Sequence, residues 1–517
     1  MLLMGHKRAI MALNQKNKSS KEDEKMKTHY DVLVIGTGAA GLYGALNLDP
    51  DLDVLSVCKR EVLLSNSELA QGGIAAVTTP QDKFEYHFRD TMVAGGFTNN
   101  LRSVDKLVCE GPEDVMNLAR FGVAFDKNED GRYNMTLEGG HGLPRILHRK
   151  DSTGNAIVTT LSEVVAKLPN VTVCENTQVI RLRKKDGMFF ATLLIGEEQS
   201  VVSADYVLIA TGGIGRVYEY TTNSKIATGD GIALAYQMGA KVENMHLIQF
   251  HPTAFAHEDR ERLLISESVR GEGAYLLNCN YERFMHRYDA REELAPRDVV
   301  SQCIMKEQER TGSNKFYLNI SHKDPDFVRE RFPMLYEKLL AEGFDMTRDN
   351  IPVYPCHHYL MGGIHVGLDA QTTIKDLYAA GECSHTGVHG NNRLASNSLL
   401  EAVVFGRTAA QEINHKFRQN GPKKEASAPE DMLLPSGSHA LTHGYRTKIR
   451  HLLQQGFYVV PNVKAAEKSV VEVREIGKAL ETGDFELSRD LVEAKNTAII
   501  AQLVLNDVIS AYDKKEN

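Results

Sequence analysis

Three stretches of the sequence carry residue types that could do chemistry. The first is Gly36-Thr37-Gly38-Ala39-Ala40-Gly41, which follows the apolar run "YDVLVI" and leads into "LYGALNL". In a strand–turn–helix setting Gly36 permits the tight turn, Gly38 lets a pyrophosphate approach the backbone, and Gly41 lets the helix pack on the strand. The phosphate would then lie at the helix N-terminus. The second is "SNSELAQGGIAAV" (Ser65–Val77), where Ser and Asn side chains and the Gly72-Gly73 amides suit phosphate and ring edges. By itself it also reads as a polar loop feeding a strand. The third is "ELAPRDVVSQCIMKEQERTG" (Glu293–Gly312), which reads as a helix. Pro296 fits its first position, Val299, Val300, Cys303 and Ile304 give it an apolar face, and Gly312 is its stop. Arg297 then stands at the positive end of the helix dipole, where a cation costs roughly 0.3–1 kcal/mol. Asp298 and Glu293 can offset that cost, but an arginine in this place asks for a purpose.

The glycine turn has a missing companion. A dinucleotide fingerprint places an acid about 20 residues on, at the end of the second strand, to hold the adenosine ribose. Here that strand, "DVLSVCKR", ends in Lys59. The departure argues against a nicotinamide dehydrogenase or an ordinary flavin disulfide reductase.

The elements that must position these residues follow from hydrophobic patterning. Tyr30–Leu48 is a buried strand, a turn and a helix; "ADYVLIATGGIG" (Ala204–Gly215) and "IKDLYAAGECSHTG" (Ile374–Gly387) are further strands ending in glycine turns. Residues 245 to 360 are more polar and helical, 415 to 440 read as a linker, and from 441 onward apolar residues recur at helical spacing. The first 27 residues hold seven Lys/Arg against three acids and no apolar core, so they read as a disordered tail rather than a secretory signal. With 517 residues the chain has room for two or three domains. A net charge of −8 does not suggest a nucleic-acid partner, and no apolar run suggests a membrane span. Seven scattered cysteines without a C-x-x-C pair argue against a zinc or iron–sulfur site and for reduced thiols in a cytoplasmic setting; no metal site is expected.

The stretches "VIGTGAAGL", "SVCK", "AQGGIAAV", "GDGIALAYQMGA", "QFHPTA", "RGEGAYL", "LAPRDVV", "HYLMGGIHV", "LYAAGE" and "HGNNRLASNSLLEAVVFG" occur in one order between residues 28 and 410. Together they resemble the flavoprotein family of succinate dehydrogenases, fumarate reductases and L-aspartate oxidases. The resemblance implies an α/β fold: a doubly wound, Rossmann-like FAD-binding domain (28–244 and 361–429), an inserted α+β capping domain (245–360) and a C-terminal helical domain (430–517). It implies that Thr37, Gly38, Ala39 and Ala40 line the FAD pyrophosphate, and that Lys59 sits near the adenosine. Asn66, Ser67, Ala70, Gln71, Gly72 and Gly73 would contact phosphate and isoalloxazine, Asp230 would face the flavin side, and Glu382 would hold the ribityl region. Ser398 and Leu399 would open a helix whose positive end points at the flavin edge that gains negative charge on reduction.

The same resemblance supplies two anchor groups for a dicarboxylate: His251 with Ser266, and His358 with Arg393. Family members usually carry Thr where this chain has Ser266; the hydroxyl is kept. His357 lies off the motif and reads as a supporting residue. Arg297 would face the reacting carbons with Glu267 as its partner; the bland alternative is a surface arginine paired with Glu293. A guanidinium is a poor base, with a pKa above about 12, so for an amino acid its expected part is charge stabilisation while hydride leaves C2.

Within the family, "LEGGHGLPRILH" (Leu137–His148) matches the "EGGH" stretch of the aspartate-oxidising branch. Glu138 could give a substrate ammonium a charge-assisted hydrogen bond worth roughly 1.5–3 kcal/mol, which succinate cannot make. No histidine lies between His29 and His87, and Asn66 stands where covalent members attach flavin, so non-covalent FAD is expected. The expected reaction is oxidation of L-aspartate to iminoaspartate with oxygen or fumarate as acceptor, feeding quinolinate and NAD synthesis, with coupling to quinolinate synthase. The rivals are a fumarate reductase or succinate dehydrogenase flavoprotein subunit, and an idle flavin-binding subunit.

Overall fold

The computed structural model describes residues 26–256, 263–423, 426–442 and 444–512. At its centre the strand His29–Ile35 runs parallel to Val54–Val57 on one side and to Glu198–Ile209 on the other. Val171–Cys174 extends the sheet parallel beyond Val54–Val57, and Leu377–Ala379 adds in parallel to the end of Glu198–Ile209. The antiparallel pair Thr177–Lys185 and Met188–Ile195 completes it.

Alternation along the central strand decides what covers each face. Val32 and Val34 pack with Tyr43, Leu118, Leu161, Leu400 and Phe405, which come from helices beneath the sheet. Leu33 and Ile35 point the other way, into a core shared with Leu453, Val473, Ile500 and Leu505. These last belong to three C-terminal helices, Gly444–Gly456, Val463–Thr482 and Arg489–Tyr512. The C-terminal helices thus share the core on one face of the central sheet with the helix Asp230–Gln237.

A second sheet is built from Ile248–Phe255, Ile351–Leu360, Phe316–Asn319 and Tyr275–Leu277, antiparallel in that spatial order. It packs on the helices Arg297–Thr311 and Pro333–Ala341 around a core that includes Phe255, Ile304, Phe316, Phe332 and Leu335.

Three expectations shift. The helix after "LAP" begins at Arg297, with Pro296 as its extended cap (ψ 156°), and residues Glu292–Leu294 form a separate 3-10 turn. A proline disfavours helical backbone in the residue before it, so the two pieces cannot fuse through Ala295. The segment read as a linker from 415 is helical to Asn420, because Asn397–Asn420 continues its buried face through Ile413 and stops at Gly421. Of the expected tail, residues 1–25 lie outside the described residues; Met26 packs on the core and Lys27 Nζ lies 2.6 Å from Asp53. None of the seven cysteines, all among the described residues, is in a disulfide. Among the described residues no helix is long and apolar enough to cross a membrane.

Candidate functional site

A cavity of about 910 Å³ runs from the glycine turn, past the loop 65–73, to the second sheet. Its wall includes Gly36, Thr37, Gly38, Ala39, Ala40, Lys59, Asn66, Ser67, Ala70, Gln71, Gly72, Gly73, Asp230, Glu382, Ser398 and Leu399. It also includes Glu138, His251, Ser266, Glu267, Arg297, His358 and Arg393. Gly41 is not on the wall: a Cβ there would meet Gly36 O at 1.9 Å, so its part is to let the helix Ala39–Leu46 close on the turn. Gly36 takes φ +112°, and a Cβ would also strike Ala210 O at 2.2 Å.

The cofactor end fits a dinucleotide. Gly38 gives the helix Ala39–Leu46 no cap of its own; Ser67 Oγ accepts the Ala39 N–H at 3.2 Å, and the residues of this positive end line the cavity. Gln71 Oε1, Asn223 Oδ1 and Ser224 Oγ are buried without a protein partner, and their residues line the wall. Asn66 accepts the Ser224 N–H at 2.9 Å and donates to Glu382 Oε2 at 3.4 Å. Glu382 also accepts the Leu360 N–H at 3.0 Å, and burial pushes its carboxyl up to about 7.

Two residues expected at different parts of the cofactor are brought together. Lys59 Nζ lies 2.8 Å from Asp230 and 2.9 Å from Glu493, and donates to Thr228 Oγ1 at 2.6 Å. Lys59, expected near the adenosine, and Asp230, expected on the flavin side, thus lie side by side on the wall. Burial alone would raise its carboxyl; Lys59, Asn496 and Thr228 hold it below the usual range. Glu493 comes from the helix Arg489–Tyr512, so the C-terminal region reaches this end of the cavity.

The substrate end is a set of interlocked charges. Arg297 is 9% exposed. Its Nε donates to Glu267 Oε2 at 2.5 Å and its Nη1 to Gln249 Oε1 at 3.2 Å. It is neither at the surface nor paired with Glu293, which instead meets Arg283 at 2.7 Å. The offset to the helix dipole thus comes from Glu267 on another element, while Asp298 accepts from Asn392 at 2.8 Å. Gln249 also donates to Arg393 O at 2.9 Å, so one amide orients both arginines. Arg393 donates from Nη1 to Ser398 Oγ at 3.0 Å and from Nη2 to His358 Nε2 at 3.3 Å, with its guanidinium 4.8 Å from the Tyr359 ring centre. Because Arg393 can only donate, His358 accepts at Nε2 and gives its Nδ1 proton to Thr222 Oγ1 at 2.9 Å.

His251 stands 5.0 Å from His358 by ring centres. The Thr253 N–H donates to His251 Nδ1 at 3.2 Å, which leaves the proton on Nε2. That Nε2 is buried without a protein partner, a donor held ready on the cavity wall. Burial, then Arg297 and His358, keep His251 neutral; burial, then Arg297 and Arg393, do the same for His358. Burial and Arg297 lower Arg393 to about 10. Burial pushes the Glu267 carboxyl up, and Arg297 with Arg270 more than reverse it. Ser266 caps the helix Glu267–Gly271 and donates to Ser268 Oγ at 3.2 Å. His357 is buried off the wall, stacked 5.0 Å from Tyr218.

Glu138 is buried beside this set. It accepts from Ser396 Oγ at 2.5 Å and Ser268 Oγ at 3.4 Å. Burial raises its carboxyl; Ser396 and Arg297 pull it down and Glu267 adds to the rise. Sequence reasoning missed Gln249, Thr222, Ser268 and Ser396. Gln249 had a signal: it is two residues from His251 on the strand Ile248–Phe255, hence on the same face.

Comparison with known proteins extends this picture. A family described as "FAD binding domain" matches residues 31–399. An L-aspartate oxidase of Acinetobacter baylyi is 38% identical, covering 95% of this chain and 92% of that protein. One of Clostridium acetobutylicum is 43% identical over 79% of this chain and 94% of its own length. A solved structure titled "Quinol-Fumarate Reductase with Menaquinol Molecules" superposes with a TM-score of 0.85 at 29% identity, covering 93% of this chain and 90% of that one.

Proposed function

This chain belongs to the L-aspartate oxidases among the FAD-binding flavoproteins, and from that premise we propose that it oxidises L-aspartate to iminoaspartate for NAD biosynthesis, with oxygen or fumarate as acceptor. The observation that carries the substrate reading is Glu138: a buried carboxylate on the same wall as His251, Arg297, His358 and Arg393. Two carboxylates of a substrate take the cations and the His251 Nε2 donor; the ammonium takes Glu138.

FAD, held non-covalently with Asn66 hydrogen-bonded to Ser224 and Glu382, supplies a two-electron acceptor for the hydride that leaves C2. Lys59 would lie near its adenosine, the glycine turn would hold its pyrophosphate, and Ser398 and Leu399, in the first turn of the helix Asn397–Asn420, would face its ring. Arg393 with His358 binds one carboxylate, and His251 with Ser266 the other. Glu138 takes a proton from the ammonium it holds, and the freed nitrogen lone pair forms the C=N bond as the C2–H bond breaks. Arg297, fixed by Glu267 and Gln249, faces the reacting carbons and favours the uncharged amine. The antiparallel sheet and its helices at 245–360 act as the cap, and reaction in a cytoplasmic setting with hand-over of the product to a quinolinate-forming enzyme fits its chemistry.

A fumarate reductase or succinate dehydrogenase subunit shares the fold and the two anchor groups. It gives no purpose to a buried acid facing the substrate, since succinate would leave Glu138 desolvated and unpaired. The test is Glu138→Gln: kcat/KM for L-aspartate falls about 10- to 100-fold, the loss of one charge-assisted bond, while fumarate reduction changes less than about threefold. Equal losses in both reactions would return Glu138 to a structural part.

A further inference from the structure

Ser396, whose hydroxyl meets Glu138, is held in an unusual backbone. Its φ is +62°, a left-handed conformation that a residue with a Cβ adopts only when its surroundings enforce it. It caps the helix Asn397–Asn420 without using its own side chain for the cap. The neighbouring carbonyl, Ala395 O, lies 2.9 Å from His141 Nε2. On the other side of the imidazole, His141 Nδ1 lies 3.0 Å from Arg145 Nη1.

Arginine has no acceptor. His141 therefore accepts at Nδ1, carries its proton on Nε2, and donates to Ala395 O; the tautomer is set by the arginine. Arg145 is fully buried and is itself fixed. Asp82 takes its Nε at 2.8 Å and its Nη2 at 3.0 Å, and Asp90 takes Nη1 at 2.5 Å. Burial holds His141 down to about 4, so it stays neutral and the donor–acceptor pattern persists. His141 is three residues beyond Glu138, and its own N–H closes a turn on Glu138 O at 3.1 Å. It does not line the cavity.

We propose that His141 is a positioning residue for recognition of the substrate amine, holding the left-handed Ser396 cap against the Glu138 loop through Ala395 O so that the Ser396 hydroxyl is aimed at the Glu138 carboxylate. Arg145, braced by Asp82 and Asp90, orients His141 for that task. The inference rests on the reading of Glu138 as the ammonium's partner, and assigns to the histidine of "EGGH" a share in choosing between an amino diacid and a plain diacid.

Two substitutions separate its two bonds. In His141→Gln the amide nitrogen reaches the place of Nε2 and keeps the bond to Ala395 O while the Arg145 contact is lost. In His141→Asn the carbonyl oxygen takes the place of Nδ1 and keeps Arg145 while the Ala395 bond is lost. The readout is the ratio of kcat/KM for L-aspartate oxidation to kcat/KM for fumarate reduction on FAD-loaded enzyme. The Gln variant should keep this ratio within about threefold, and the Asn variant should lose about 10- to 100-fold, the scale typical of an outer partner that orients a site ligand. Glu138→Gln is run beside them. If it lowers the ratio while the Asn and Gln variants match each other, the His141 proposal is overturned and the Glu138 reading stands. If Glu138→Gln leaves the ratio unchanged, the Glu138 reading falls and the His141 proposal with it. Parallel losses in both reactions for His141→Asn would make His141 a structural residue and overturn the proposal.

Discussion

At one end of the cavity Lys59 meets two carboxylates, Asp230 and Glu493, Arg446 meets Glu493 as the second cation at 2.5 Å, and both oxygens of Asp230 are further satisfied by Thr228, Gln178 and Asn496. At the other end Arg297, Arg393 and His358 are oriented by protein partners, yet His251 Nε2 and Arg393 Nε are buried with none. The first arrangement answers its own charge, and the groups it leaves unpaired, Gln71 Oε1, Asn223 Oδ1 and Ser224 Oγ, are neutral. The second holds unpaired N–H donors beside cationic arginines, a setting that favours an anionic ligand, at a cost of about 1–3 kcal/mol for each buried orphan. Under the proposed function, affinity for a dinucleotide and selection of a small diacid are built differently within one cavity: a neutralised wall would hold the cofactor, and an unfinished one would take the substrate. Glu138 belongs to the second kind with the sign reversed, since its burial-raised carboxyl is completed only by a cation.

The largest effect should come from breaking the unfinished end. Arg297→Leu should keep FAD bound and lose about 10²- to 10³-fold in turnover of both L-aspartate and fumarate, the scale of one preorganised electrostatic group. Steady-state rates in the two directions check this, and near-normal rates in either would remove Arg297 from that reaction.

A smaller effect sharpens the contrast between Glu138 and the cations. Because Glu138 is raised above the ordinary glutamate range, lowering the pH protonates it before the other acids facing the substrate. Protonated, it cannot pair with an ammonium, so KM for L-aspartate should climb on the acid side while KM for fumarate does not. The acid limb should vanish in Glu138→Gln. A parallel climb for both substrates would assign the limb to another group.

The smallest effect is expected at the neutralised end. Glu493→Gln removes one of the two acids on Lys59 and leaves Asp230 in place. The FAD dissociation constant should rise a fewfold, on the order of 1 kcal/mol or less, with kcat at saturating FAD unchanged. A fall in kcat with no change in FAD affinity would break the division between the two ends.

Much of the site could be read in the residues themselves, and the parts that could not share a cause. The glycine turn, the 65–73 loop and the helix opened by Ser398 are local features, and their residues reach the cavity wall. Arg297 stood out because it is misplaced on its own helix, a local contradiction that burial beside Glu267 resolves. Three pairings had no local trace. Lys59 and Glu493 are 434 positions apart, His141 and Ala395 are 254 apart, and Gln249 lies 144 from Arg393. Each joins side chains from elements whose packing is set by the cores, not by spacing along the chain. The pairing of Asp230 with Lys59 had no local trace for the same reason, since only the fold brings them together.

The account's central claim is that the unfinished end is completed by an amino diacid. Anaerobic stopped flow on the FAD-loaded protein tests it most directly, following the visible flavin absorbance after mixing with L-aspartate or with succinate in turn. Rapid bleaching with L-aspartate, at a rate at least as fast as turnover, and little or none with succinate is the predicted result. Bleaching by succinate at a rate equal to or above that of L-aspartate would contradict it.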